Sequence, residues 1–421
     1  MADKFVIQGG KPLQGTIEIK GYKNAAGAVL AACLLTDEEC VIDNLPLVED
    51  VFSLIEILKS MGVETEWLTE RKLRVKAGKE VNPQKMDLER VPKTRISVLL
   101  IGPLLARFKS FKIPHPGGDK IGLRPITTHL QALEKLGAKI TSEHGFYYFE
   151  RENLKAREII LKEFSVTATE NLMLAAVKAK GRTIIKGAAC EPQVQDLGEM
   201  LKKMGAKIDG LGTHTIIIQG VEDLHGVEHK IISDPIEAAT FIIAGVVTPG
   251  TVEIRNVNLC HLDLFLDKLE EIGVNFKKGN QSITVEFSPN LKSAKVQTFF
   301  YPGFPTDFLP FTSVLLTQSQ GKSLIHDPLY ESRFGYLQEL KKMGADIEIV
   351  DPHRALIFGK TPLKGLNIES WDIRAGASLI IAALMAEGET VIDSIYQIDR
   401  GYEKIEERLQ QLGADIRRVQ E

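Results

Sequence analysis

A short string recurs six times along this chain: LKSMGV, LEKLGA, LKKMGA, LEEIGV, LKKMGA and LQQLGA, with its glycine at 62, 137, 205, 273, 344 and 413. The intervals of 75, 68, 68, 71 and 69 residues mark a fold built by repetition. Each string closes an amphipathic segment and opens an alternating one, as in GAKITSEHGFYYFE and GADIEIV, so the glycine is predicted to cap a helix and start a strand. Most units carry a second pattern upstream, a small-residue helix running into a strand: VLAACLLTDEECVIDN, LMLAAVKAKGRTIIKG, FIIAGVVTPGTVEIRN and LIIAALMAEGETVIDS. These helices are apolar around most of their circumference, which places them centrally with sheets packed outside. Leaving one exposed would forgo several kcal/mol at about 25 cal/mol per Å². With 421 residues the chain exceeds one domain, so the expected fold class is α/β, with six units divided three and three between two inverted α/β domains.

Three units end near residue 231, where HKIISDPIEAAT begins the fourth, and the N-terminal strand FVIQGG could complete either half. The 52 basic and 56 acidic side chains leave a formal charge of -4, which offers no global attraction to nucleic acid or anionic lipid. The start, MADKFVIQGG, lacks a basic region followed by an apolar core, and apolar runs reach only about a dozen residues, short of a membrane span. A cytoplasmic protein with no membrane or nucleic-acid partner is expected. Cys33, Cys40, Cys190 and Cys260 show no CxxC spacing, and the nine histidines show no metal-ligand spacing, so no metal site is expected. GxxxxGK[ST], GxGxxG before a helix, GxSxG and HExxH are all missing, which removes the common nucleotide hydrolases, dinucleotide enzymes and serine hydrolases.

Chemistry is left to the loops between helices and strands. They are GYKNAAG (21–27), VPKTRIS (91–97), HPGGDKIGLRP (115–125), FSVTATEN (164–171), AACEPQVQD (188–196), SDPIEAA (233–239), YPGFPTDF (301–308), DPLYESRF (327–334), WDIRAGA (371–377) and IYQIDRGYEKIE (395–406). Cations recur in them: Lys23, Arg95, Lys120, Arg124, Arg333, Arg374 and Arg400. Singly, each could be a solvated or locally paired charge. As a set beside helix starts, they suit a small multiply charged anion such as a phosphate ester bearing a carboxylate. The glycines of 115–125 are ordinary turn residues or the joints of a lid, with Asp119 beside Lys120 inside it. Asp307 follows two prolines and is either a helix N-cap or a carboxylate held away from bulk water.

In order and across nearly the whole chain, GYKNAAG, PGGDKIGLRP, SVTATEN, EPQVQDL, FPTD, RAGASL and IDRGYEKIEERL resemble the UDP-N-acetylglucosamine 1-carboxyvinyltransferase family, the enolpyruvyl transferases that open peptidoglycan synthesis. The resemblance implies an inside-out α/β barrel of two domains, 22–231 with a mobile loop at 115–125, and 1–21 joined to 232–421. It implies transfer of the enolpyruvyl group of phosphoenolpyruvate to the 3-hydroxyl of UDP-N-acetylglucosamine with release of phosphate, and no cofactor. Matched motif by motif, Lys23, Arg124 and Arg400 would hold the phosphate of phosphoenolpyruvate, and Arg95, Arg333 and Arg374 the anionic adduct. Asn24, Ser165, Val166, Asp307 and Leu329 would contact the nucleotide sugar, with Asp307 also the base. Pro125 and Arg124 would sandwich the uracil, and Ile126, Thr127 and Thr128 extend that contact.

The chain departs from the family where it matters. Most members have cysteine where Asp119 stands, and a minority have aspartate. A thiol is protonated at neutral pH, whereas an aspartic acid must be raised by about three pH units, or roughly 4 kcal/mol, to serve as the acid. The expected source of that shift is the negative charge of bound phosphate. Thr127 replaces a usual acidic residue, Gln193 a usual glutamate and Pro235 a usual arginine, all on the nucleotide side. Those changes leave open an enolpyruvyl transferase with another acceptor, and, from a different class, a silent paralogue that only binds a nucleotide sugar. Retention of Lys23, Asp307, Arg124 and Arg400 speaks against silence.

Overall fold

A computed structural model describes residues 3–118 and 121–420. The chain divides into two compact units and passes from one to the other at Lys20/Gly21 and at Ile232/Ser233. One holds Gly21–Gly118 and Arg124–Ile232; the other holds 3–20, 121–123 and 233–420 of the described residues.

All six repeat glycines take positive φ, at 94, 116, 103, 92, 104 and 101°, which a Cβ would penalise. Each follows an amphipathic helix, namely Glu49–Ser60, Thr127–Leu136, Pro192–Lys203, Asp263–Ile272, Gly335–Lys342 and Ile405–Gln411. Each is followed within three residues of the glycine by a strand, from Glu64–Thr69 to Asp415–Val419. The predicted helix, cap and strand is therefore present in every unit.

The small-residue helices are the centre. In the 21–232 unit they are Lys23–Ala32, Ile101–Arg107 with its 3-10 lead-in Arg95–Leu100, and Val166–Ala176. In the other unit they are Pro235–Val247, Leu309–Leu316 and Ile373–Met385. Every residue of Pro235–Val247 is buried, as an all-round apolar helix requires. Three sheets enclose the helices of each unit, so the chain is a two-domain inside-out α/β barrel of six repeats.

Five sheets share one arrangement, a parallel pair continued by two antiparallel strands. The sixth, of Ser110–Pro114, Phe146–Arg151 and Ala138–Glu143, has three strands. The segment in the place of its fourth strand is VNPQKMDLERVPK, which forms the 3-10 turns Pro83–Lys85 and Val91–Lys93 instead. Its two prolines lack the N–H that a strand ladder needs.

The N-terminal strand resolves the choice left by the sequence. Lys4–Gln8 lies between Glu389–Asp393 and Asp415–Val419, with Ile7 opposite both Thr390 and Ile416. Gly15–Glu18 runs parallel to Thr251–Arg255. Both therefore belong to the unit that ends the chain. No helix of the described residues is long and apolar enough to cross a membrane. Cys33, Cys40 and Cys190 are buried free thiols, whereas Cys260 is exposed.

Candidate active site

The expected site residues fall into one group per unit. In the 21–232 unit, Lys23 is the first residue of its helix, and its Nζ lies 2.7 Å from Asp50 Oδ2, with both side chains almost wholly buried. A buried ammonium keeps its charge only with such a partner. Asn24 follows, half-buried, and donates from Nδ2 to the Tyr22 hydroxyl at 3.2 Å. Arg95 opens the 3-10 segment and donates to the Arg124 carbonyl at 2.8 Å. Gly118 sits against both: a Cβ there would lie 2.8 Å from Arg95 Cβ and 3.2 Å from an Arg124 guanidinium nitrogen. Arg95, Arg124 and Gly118 thus form one contact group.

Pro125 is exposed, Ile126 is buried, and Thr127 and Thr128 form the first turn of Thr127–Leu136. The next residue, His129, meets Thr167 Oγ1 through Nε2 at 2.8 Å. That contact joins this helix to the one that Ser165 caps, where the Ser165 hydroxyl accepts from the Ala168 N–H at 3.3 Å and Val166 begins the helix. Burial first, and the Arg95 charge second, push His129 down to about 3, so it is a neutral imidazole here. Sequence reasoning overlooked His129; its place one helical turn beyond Pro125 was the available signal. Gln193 is buried and its Oε1 finds no hydrogen-bond partner among the described residues.

In the other unit, Asp307 is the second residue of the 3-10 turn Thr306–Phe308, whose N-cap position is held by Pro305, while Phe308 holds that of the following helix Leu309–Leu316. The N-cap alternative therefore fails. Its Oδ1 instead accepts from Arg333 at 2.5 Å. Arg333 is 3% exposed and lies 5.6 Å from the Tyr330 ring centre. Burial alone would weaken its charge, but Asp307, Asp372 and Asp327 outweigh that and raise it further above the ordinary range. Leu329 donates its N–H to Asp327 Oδ1 at 3.0 Å. Arg374 occupies the first turn of Ile373–Met385, where Asp372 caps by accepting from the Arg374 and Ala375 N–H groups at 2.8 and 2.9 Å. Its guanidinium lies 5.4 Å from the Tyr402 ring centre. Arg400, also buried, ends the short helix Tyr396–Asp399 and donates to Gln397 Oε1 at 2.9 Å. Arg333, Arg374 and Arg400 are all buried guanidiniums of this unit, as is Arg408, which pairs with Glu237.

Asp119 and Lys120 lie outside the described residues. Just beyond them, Leu123 donates its N–H to Glu331 Oε1 at 2.7 Å, and the Ile121 carbonyl accepts from Ser332 at 3.3 Å. Ile121–Leu123 are thereby tied to the segment that carries Leu329 and Arg333.

A family model described as EPSP synthase (3-phosphoshikimate 1-carboxyvinyltransferase) matches residues 7–409. A protein of Koribacter versatilis named UDP-N-acetylglucosamine 1-carboxyvinyltransferase is 46% identical over 422 residues, covering 100% of this chain and 97% of its own. One of the same name from Acidobacterium capsulatum is 44% identical, covering 99% and 96%. Among solved structures, the enolpyruvyl transferase NikO from Streptomyces tendae matches with a TM-score of 0.90 at 24% identity, over 99% of each chain. EPSP synthase from Acinetobacter baumannii matches at 0.75 and 19%, over 100% of each. The architecture is that of the enolpyruvyl transferases. The chain belongs to the EPSP synthase family and, within it, groups with the UDP-N-acetylglucosamine 1-carboxyvinyltransferases.

Proposed function

We infer that this chain is an enzyme that transfers the enolpyruvyl group of phosphoenolpyruvate to the 3-hydroxyl of UDP-N-acetylglucosamine, releasing phosphate. The observation that carries the reading is 43–46% identity, over essentially the full chain, to several enzymes named for that reaction. Its place is the cytosol, at the head of peptidoglycan synthesis, on which cell shape and division depend.

The reaction has two halves with balanced protons. In the first, an acid protonates C3 of phosphoenolpyruvate while the sugar hydroxyl loses its proton to a base and its oxygen bonds to C2. In the second, phosphate leaves C2 and a proton leaves C3, which restores the double bond. Asp119 is the proposed acid and Asp307 the proposed base. Lys23, Arg124 and Arg400 hold the phosphate; Arg95, Arg333 and Arg374 stabilise the charge of the adduct. Asn24, Ser165, Val166 and Leu329 contact the nucleotide sugar, and Pro125 with Arg124 encloses the uracil, aided by Ile126, Thr127 and Thr128. Support comes from the buried state of Lys23, Arg333, Arg374 and Arg400, which presents charges fixed before the anion arrives.

The test is phosphate release from phosphoenolpyruvate with UDP-N-acetylglucosamine or with shikimate 3-phosphate as acceptor. Release with the first alone is expected. Release only with another acceptor, or nucleotide-sugar binding without release, would replace this reading by one of its alternatives.

A further inference from the structure

Asp327 is given no contact with substrate above, although its charge helps to sustain that of Arg333; it is completely buried and both of its carboxylate oxygens are engaged. It lies where two parallel strands end together: Lys295–Gln297 pairs with Gly321–His326, with Gln297 opposite His326, so Thr298 and Asp327 emerge side by side. Oδ1 accepts from the Thr298 hydroxyl at 2.8 Å and from the Leu329 N–H at 3.0 Å. Oδ2 accepts from the Thr306 hydroxyl. Its backbone is held as firmly, the N–H donating to the His353 carbonyl at 2.8 Å and the carbonyl meeting His353 Nδ1 at 2.7 Å. One side chain therefore ties the residue preceding Asp307, which lies 21 positions before it in sequence, to the amide of Leu329.

We propose that Asp327 is a positioning residue, which fixes Asp307 through Thr306 and the acceptor-contacting backbone at Leu329 through its N–H. The inference rests on the reading of Asp307 as base. A carboxylate suits the task because it only accepts, and all three of its partners donate. An amide there would turn one acceptor into a donor against a donating group. The design matters because a base displaced by a fraction of an ångström loses its line to the proton while the pocket around it stays folded.

The experiment uses the full chain and measures phosphate release, separating kcat from the KM of each substrate, with urea midpoints as the stability check. Thr306→Val removes the hydroxyl with little change of shape, and kcat is expected to fall roughly tenfold to a hundredfold while the KM for phosphoenolpyruvate stays put. Thr306→Ser, which restores the hydroxyl, should recover most of that loss. Thr298→Val touches the same carboxylate but not the Asp307 segment, so it should lower the urea midpoint and leave kcat near wild type. Asp327→Asn should combine both effects; should it fail to fold, the Thr306 pair still decides. Undiminished kcat in Thr306→Val, or an equal kcat loss in Thr298→Val, overturns the proposal while wild-type turnover keeps the functional reading intact. A wild type that releases no phosphate with the two substrates removes that reading, and this inference with it.

Discussion

Asp119 sets the sharpest prediction for a single side chain. A carboxylate is a weaker nucleophile than a thiolate, so fosfomycin, an epoxide that alkylates the family's usual cysteine, should not inactivate this enzyme covalently. Asp119→Cys should acquire time-dependent inactivation and a mass increase on the new thiol. Covalent labelling of the wild type at Asp119 would refute the expectation. Asp234 makes a second prediction, of opposite sign to the usual ion-paired carboxylate. It caps Pro235–Val247, accepting from the Ile236 and Glu237 N–H groups at 2.7 and 3.1 Å. Burial is the largest influence and lifts its carboxyl from 3.8 to about 6, against the opposing pull of Arg374. Because the folded state then holds the proton more tightly than the open chain, its contribution is full below about pH 4 and is lost as pH rises through about 6. Asp234→Asn keeps a capping oxygen and has nothing to titrate, so between pH 4 and 7 it should gain on the wild type by about 3 kcal/mol at most. Urea unfolding of both proteins at the two pH values reads this directly; parallel pH dependence would remove Asp234 from the account.

The helices and caps were the most legible elements, since a repeated glycine and an all-round apolar composition each have one structural solution. Contacts between distant elements were not. Nothing in GYKNAAG announces that Lys23 will meet Asp50 in the first turn of the next helix, and nothing in DPLYESRF shows that Asp327 will face two threonines. Local pattern encodes a residue's element, whereas a partner follows from how elements cross. Gly102 shows what such a crossing demands. In Ile101–Arg107 a Cβ at this position would lie 2.4 Å from the Asn171 carbonyl oxygen and 2.9 Å from Leu174 Cβ. Asn171 also accepts from the Gly102 N–H at 2.6 Å and donates to the Val98 carbonyl at 3.0 Å, which locks the two central helices together. Gly102→Ala should therefore destabilise by about 1–3 kcal/mol through overpacking against backbone that cannot swing aside. Gly335→Ala is the matched control, because a Cβ on that helical glycine meets nothing within 4 Å. It should be neutral or slightly stabilising, by up to about 1 kcal/mol. Equal Tm losses for the two variants would show that the helix crossing tolerates a methyl.

For the molecule as a whole, the repeat count was readable from pattern alone, whereas the closure of the last barrel by residues 1–21 was implied only by the family resemblance, because it joins segments far apart in the chain. The first twenty residues supply an inner strand to one sheet and an edge strand to another of the unit that ends the chain. A fragment of 233–421 lacks both. Its strands Glu389–Asp393 and Asp415–Val419 would each lose a full ladder, and Ile392 and Ile416 would lose the cover of Phe5 and Ile7. That fragment is expected to stay unfolded or to aggregate through its open edges. Lys4 pairs directly with Val419, so the two ends of this unit lie within ordinary strand spacing and a few residues can join them. A permuted fragment that runs from 233 to 421 and continues through a short linker into 1–20 restores every strand of the three sheets. It should unfold cooperatively in urea and show the circular dichroism of a mixed α/β domain. If 233–421 alone unfolds as cooperatively as the permuted fragment, the N-terminal strands decorate the barrel and do not close it.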